Sequence, residues 1–429
     1  MLRTLLALVV ALAAAPSLAG EWPAWRGPTG TGIADETGLP LEWSAEKNVT
    51  WRVPLPGPGN STPIVWDDRV FVTQSLDEGA RRTVMCFNRS DGTLHWQRAV
   101  EFTGEETTHQ TNPFCAASPV TDGERVIAWH GSAGLVAYDF EGNELWRRDL
   151  GTFHHIWGNA ASPVLVDGLV ICNLGPGTEA ALAAFDKRTG EDVWRVELPE
   201  AKSENPEQYK GSWSTPVIFE TGSSRQLMLS LPQKLIAFDP ATGDELWHCR
   251  GLSDLVYTSP LVGLETVVAM SGYTGPALAV RTGGAGDVTE THRLWLHEKN
   301  DQRVGSGVVV GDHLFIMDEP GIARCFVLAT GELVWEERLG GTTWSSMAHA
   351  DGRLYVAAAD GTTYVLAAAT EYKLLAENPL GEVTRGSLAF SDGQVFVRTY
   401  DALYCIGGRK EAAAARLEVI YPPKADADK

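Results

Sequence analysis

The chain has 429 residues, 44% of them apolar and 21% charged, with a formal net charge of −20. That balance describes a globular chain rather than a disordered one, and a field of that sign argues against nucleic acid or an anionic lipid surface as partner. Fifteen Trp and 44 Gly suit many short strands joined by tight turns, with a large aromatic repeated in each unit.

Residues 1–19 read as a signal peptide. Arg3 supplies the positive end, Leu5 to Ala15 the apolar segment, and Ser17-Leu18-Ala19 a small-x-small cleavage site. No Cys follows that site, so no lipid anchor is expected, and no later run is long and apolar enough to span a bilayer. The mature chain is therefore expected to be soluble and exported, periplasmic or secreted. Loss of Arg3 leaves 34 basic against 55 acidic side chains, a balance of −21.

Residues 20–47 form a non-repetitive arm that is expected to pack its Trp residues on a surface. It holds Trp22-Pro23-Ala24-Trp25-Arg26-Gly27-Pro28, then Gly38-Leu39-Pro40 and Trp43. Asn48 to Val53, with Trp51 inside, matches the last strand of a repeat, yet nothing before it supplies the other strands.

Eight units then follow. They open at Ser61-Thr62-Pro63, Ser118-Pro119, Ser162-Pro163, Ser214-Thr215-Pro216, Ser259-Pro260, Ser306-Gly307, Ser345-Ser346 and Gly386-Ser387. Asp-Gly pairs such as Asp122-Gly123 and Asp167-Gly168 sit between apolar runs, a strong hairpin signal. The first six units close at Trp96, Trp146, Trp194, Trp247, Trp295 and Trp335, spaced 40 to 53 residues apart. The seventh ends near Leu375, where the Trp is lost, and the eighth stops after its third strand, Leu403 to Ile406. Joining that incomplete unit to the orphan strand at Trp51 makes eight complete units in a closed ring, which leaves no free sheet edge. The fold class expected is all-β: an eight-bladed β-propeller of four-stranded antiparallel blades over residues 48–408, its last blade closed by an N-terminal strand. Seven blades is the nearest alternative. Residues 409–429 form an Ala-rich, charged tail outside the ring.

The repeat has its own logic. Gly190 and Gly243 allow the outer turn, Asp186 and Asp239 accept backbone hydrogen bonds, and Trp194 and Trp247 pack between neighbouring sheets. Cys86, Cys325 and Cys405 stand where Ala137, Ala184 and Ala237 stand in other copies. They behave as small buried apolar residues too far apart to bridge, so free thiols are expected.

The Ala-x-Asp-x-x-Thr-Gly-x-x-x-Trp pattern at 184–194 and 237–247 resembles the tryptophan-docking repeat of pyrroloquinoline quinone (PQQ)-type β-propellers. That superfamily contains the quinoprotein alcohol dehydrogenases and the BamB-like outer-membrane assembly factors, which bind no quinone. The arm is similar to those of exported BamB-like, PQQ-like repeat proteins. PQQ with calcium is the cofactor pair the dehydrogenase branch implies. However, no two cysteines adjoin here, as a pair does beside that cofactor, so no catalytic residue is carried over and no metal ligand is assigned.

In a propeller, the loops that lead into each inner strand crowd around one mouth of the central channel. Here they hold His109 and Asn112, then His154, His155, Trp157 and Asn159, then Lys210 and Trp213. Tyr257, Arg303, Trp344 and Arg385 complete the gathering. The cations can pair with anionic groups and the rings can stack on a flat ligand. Adjacent His154 and His155 face opposite sides of a strand, so no shared metal is expected. The expected function is a non-catalytic binding or scaffold propeller of the cell envelope. It would recruit protein or peptide by its rim and stay monomeric, since ring closure leaves no sticky edge. The alternatives are a PQQ-dependent dehydrogenase and a small-molecule or carbohydrate-binding propeller.

Overall fold

The structure, a computed structural model, describes residues 20–221, 224–300 and 304–409. The leader, the tail beyond Arg409 and the expected site residue Arg303 lie outside these residues. Eight antiparallel sheets follow one another along the chain. Blade 1 is typical, with strands Ile64–Trp66, Arg69–Leu76, Arg81–Asn88 and Leu94–Glu101 running from the axis outward. The inner strands of blades 8 and 1 are neighbours, so the ring closes. The eighth blade takes Val49–Pro54 as its outer strand, antiparallel to Ala402–Ile406. Among the described residues, no helix is long and apolar enough to cross a membrane.

Register explains the repeated residues. Each outer-strand Trp pairs with a small residue on the strand beside it: Trp96 with Cys86, Trp146 with Ala137, Trp194 with Ala184, Trp335 with Cys325 and Trp51 with Cys405. The Trp ring then reaches the next blade. Trp96, Trp146 and Trp194 donate Nε1–H to the carbonyls of Phe140, Lys187 and Pro240, at 2.8, 3.1 and 3.1 Å. Trp295 and Trp335 do the same to Leu328 and Ala369. Each of those carbonyls lies in the outer turn of the following blade.

Gly190 serves this contact twice over. Its φ is +74°, and a Cβ placed on it would lie 2.7 Å from the Trp146 ring. Gly243 stands in the same relation to Trp194. The turn carboxylates also behave as expected: Asp186 accepts from the N–H groups of Arg188 and Thr189, and Asp239 from that of Ala241. All six cysteines are free and buried.

Trp247 is fully buried in a cluster with residues of blades 4 and 5, as expected, but it makes no hydrogen bond to the next outer turn. Its Nε1 donates to Gln226 Oε1 within its own sheet, and Gly286–Asp287 of the blade 5 insert pairs alongside its strand. Trp194 docks as expected but stays half-buried.

The seam between blades 8 and 1 is stitched by buried guanidinium groups. Arg398 donates to Ser61 Oγ, the Thr73 carbonyl and Gln74 Oε1, while Arg89 reaches back to Gln394 Oε1 and the Ser391 carbonyl.

The arm does more than coat a surface. It touches the turns at Asp67, Asp351 and Asp392, which leave the inner strands at the end of the ring opposite the inter-blade loops. Trp22 bridges to Val65 of blade 1, and Ala34 bonds to His349 of blade 7, so the arm crosses the ring. Between them, buried Arg26 donates to the carbonyls of Ser306 and Gly307 in blade 6. That anchor holds Trp25 in the central channel, whereas Trp22 and Trp43 are buried against the blades.

Candidate functional site

One hydroxyl residue from the opening of each of the eight blades joins a closed belt around the axis. The N–H of Thr62 donates to Ser118 Oγ, that of Ser118 to Ser162 Oγ, and that of Ser162 to Thr215 Oγ1, at 2.8 to 3.0 Å. The series continues through Ser259, Ser306, Ser346 and Ser387, and Ser387 N–H returns to Thr62 Oγ1. Each inner strand starts at the channel, where no neighbouring strand satisfies its first N–H. The hydroxyl of the next blade supplies the acceptor.

Above this belt lies a cavity of about 420 Å³. Trp25 of the arm and six of the eight belt residues line its depth, and the inter-blade loops form its mouth. Such a volume lies in the range of small-ligand pockets.

One wall is aromatic. Trp157 and Trp213 have ring centroids 5.7 Å apart, Trp213 and Tyr257 4.9 Å, and Trp157 and Tyr273 5.8 Å with nearly parallel planes. Trp213 is positioned by a short parallel pairing of Gly211–Ser212 with Leu255–Val256, and by Nε1–H donation to the Gly158 carbonyl. Across the cavity the Arg385 guanidinium lies between the rings of Trp344 and Tyr400, 4.9 and 5.4 Å from their centroids. It donates Nη1–H to Tyr400 Oη at 2.5 Å.

The polar side belongs to the loop between blades 1 and 2. Asn112 N–H donates to the His109 carbonyl, His109 Nδ1 meets Thr111 Oγ1 at 2.7 Å, and Asn112 Nδ2 donates to the Trp157 carbonyl. Asn60 Nδ2 donates to the Thr111 carbonyl.

The structure thus brings His109, Asn112, Trp157, Trp213, Tyr257, Trp344 and Arg385 to one cavity. Three other expected residues stand elsewhere. His155 is buried behind the wall, its Nε2 3.0 Å from the Gln208 carbonyl and its ring against Trp213 and Trp157. Burial holds its pKa below the ordinary value, which suits a neutral prop for those rings. Asn159 turns its Nδ2 to Glu106 Oε1, where Glu106 is paired with Arg82 at 2.7 Å in a buried knot. Lys210 is half-buried, and its carbonyl accepts from Ser203 Oγ in the loop outside the cavity.

Sequence reasoning missed Trp25, Tyr273 and the belt. Tyr273 sits in the hairpin between the second and third strands of blade 5, held at φ +51°, and not in a loop leading into an inner strand. The belt's signal is the Ser or Thr at the opening of every blade, which marks the start of each repeat but carries no local sign of the bond it makes to the neighbouring blade. Among the described residues, no group of three His, Cys, Asp or Glu is arranged to hold a metal ion, and no Asp or Glu lines the cavity.

Solved structures share this architecture. BamB from Moraxella catarrhalis superposes with a TM-score of 0.61 at 16% identity, covering 85% of this chain and 98% of that one. The quinohemoprotein alcohol dehydrogenase from Comamonas testosteroni gives 0.69 at 12%, covering 96% and 84%. A europium-containing methanol dehydrogenase gives 0.65 at 11%, covering 90% of each. At such identities the likeness is one of fold. No curated protein matches the sequence. The family model described as outer membrane protein assembly factor BamB matches residues 33–175, 178–285 and 285–399, so the chain belongs to that family of PQQ-like repeat propellers.

Proposed function

We propose that this chain is an exported, non-catalytic binding propeller of the cell envelope whose ligand enters the aromatic mouth. The observation that carries the reading is the pairing of a cavity of about 420 Å³ with a continuous wall of Trp and Tyr rings. Convergent aromatic faces with a few fixed polar groups are the usual make-up of a small-ligand site.

The lining fits PQQ with calcium poorly. A flat quinone can stack on Trp157 or Trp344, yet calcium takes six to eight oxygen ligands with carboxylates prominent among them, and the described lining supplies no carboxylate. No redox step is therefore assigned to these residues.

A second reading keeps a protein or peptide at the rim. It is favoured by exposed aliphatic side chains on the outer strands of five blades, Leu94, Leu145, Val193, Leu294 and Leu333. The family description and the BamB neighbour point the same way.

The test is a titration of the purified mature chain, read by Trp fluorescence. The panel holds neutral and acidic disaccharides, aromatic carboxylates, and PQQ with and without calcium. Saturable quenching by a panel member, lost in Trp157→Ala, is the expected result. Quenching unchanged by Trp157→Ala, or no response together with a partner retained on the rim after mild envelope extraction, would move the binding function to the second reading. Dye reduction with an alcohol in the presence of PQQ and calcium would contradict the non-catalytic assignment.

A further inference from the structure

Three surfaces of different chemistry meet in the cavity, and together they narrow the ligand class. The aromatic wall is closed on itself. Its rings lean on one another at 4.9 to 6.0 Å, with Trp157 in contact with Trp213, Tyr257 and Tyr273 alike. Rings that touch leave no gap to encircle a compact cation. They offer a broad face on which a ligand can lie.

The belt supplies the opposite chemistry. Each of its eight hydroxyl oxygens accepts one backbone N–H from the neighbouring blade. None donates its own O–H in any hydrogen bond of the described residues. A hydroxyl has one donor and two acceptor sites, so each belt residue keeps a donor and a lone pair. A purely aromatic ligand in the depth of the cavity would leave the six that line it unmet. A polyol, which gives and takes hydrogen bonds at every carbon, would satisfy them.

Arg385 is the third element. In a chain of net charge −20 its guanidinium has no carboxylate partner among the described residues. It is gripped between Trp344 and Tyr400, with one hydrogen bond from Nη1, and Nε has no partner. A planar guanidinium held this way is suited to a carboxylate or a sulfate, which it meets with two parallel N–H bonds.

We propose that the cavity takes an anionic saccharide, a sugar unit or short oligosaccharide bearing a carboxylate or an ester sulfate. Its C–H faces lie on the Trp157 and Tyr257 wall, its hydroxyls meet the belt, and its acid group meets Arg385. The inference rests on the cavity reading given above and names its ligand.

The experiment is calorimetric titration of the full mature chain with four probes. These are cellobiose, the matching disaccharide with a glucuronic acid unit, a sulfated disaccharide, and 2-naphthoate as a flat aromatic acid. At least one acidic disaccharide is expected to bind about tenfold or more tightly than cellobiose, the scale of a charged hydrogen bond. Arg385→Gln should abolish the preference for the acidic disaccharide over cellobiose. Arg385→Lys should retain part of the preference, and Trp157→Ala should weaken both sugars. Thermal melting of each variant separates lost binding from lost folding. Binding of the glucuronate or of the sulfate alone identifies which acid group is read. Equal affinity for neutral and acidic sugars, or indifference to Arg385→Gln, would overturn the role of the acid group. Binding of 2-naphthoate without any saccharide would overturn the ligand class and leave the cavity reading standing. No heat with any of the four would overturn the saccharide assignment, and the fluorescence panel would then decide the cavity reading separately.

Discussion

The backbone N–H of Ser387 donates to Thr62 Oγ1 at 3.2 Å, which joins the last blade to the first across 325 positions of sequence. This bond closes the belt on which the inner strands are hung. Thr62 is 1% exposed, so removal of its oxygen strands a buried donor. Thr62→Val should cost about 1–3 kcal/mol, the desolvation cost of an unpaired buried group. Thr62→Ser, which keeps the acceptor, should cost less. Urea denaturation of both variants checks this. A Thr62→Val cost no larger than that of Thr62→Ser would show that the ring closes without the belt.

The docking of Trp146 on Gly190 predicts a graded pair of effects. Trp146 is 8% exposed and touches two blades, and Trp146→Ala should cost about 3 kcal/mol. Gly190→Ala forces a Cβ to 2.7 Å from that ring at φ +74°. Gly381 has nearly the same φ, +72°, but nothing lies within 4 Å of its added Cβ. Gly381→Ala should therefore show only the backbone cost of about 1–2 kcal/mol, and Gly190→Ala about 1–3 kcal/mol more. Equal costs at the two positions would contradict the close approach of ring and turn.

Acid should weaken the fold through His130. This residue is buried beside Cys115, with Nδ1 3.6 Å from Sγ, and Nε2 has no partner. Burial first, then the charges of Arg82 and Arg147, push its pKa down to about 3. Between about pH 6.5 and pH 3 the unfolded chain binds a proton that the folded His130 refuses. Stability is thus present above pH 6.5 and is lost as the pH falls, by up to about 1.4 kcal/mol per pH unit from this group. His130→Gln should flatten the stability profile in that window. An unchanged slope would place the acid sensitivity elsewhere.

The six thiols should be silent in the folded protein. All are buried, and burial pushes those of Cys86, Cys115, Cys325 and Cys405 up to about 12. Only the thiolate is a good nucleophile, so native protein should take up no iodoacetamide at pH 8, and denatured protein should take up six adducts. Intact mass reads the count directly. Rapid native labelling would contradict the burial of these residues.

The blades were legible because each is specified locally. A turn Gly, a turn carboxylate and an outer Trp recur at fixed offsets, and the Cys-for-Ala exchange follows from the small residue needed opposite each Trp. The circular closure was legible too, from a missing strand at one end and a spare strand at the other. Trp247 is packed as the repeat requires but bonds within its own sheet, beside the insert strand Gly286–Asp287, and nothing in its own repeat signals that insert. The site was legible only where loop position decides it. Seven of the expected residues reach the cavity, but His155 and Asn159 were drawn inward by Gln208 and Glu106, contacts between distant loops. Trp25 enters the channel because Arg26 finds carbonyls in blade 6, a relation across some 280 residues that no local pattern carries.

The central claim is that the aromatic mouth, and not the outer Trp girdle, binds the ligand. The direct measurement is the affinity of a quenching ligand for the wild-type chain, Trp157→Ala and Trp335→Ala, the last being a half-buried girdle residue with its own inter-blade hydrogen bond. Loss of about tenfold or more in affinity is predicted for Trp157→Ala, a scale set by the removal of one stacked ring, with Trp335→Ala binding as wild type does. Equal affinity for Trp157→Ala and the wild type, or equal losses in both variants, would contradict the claim.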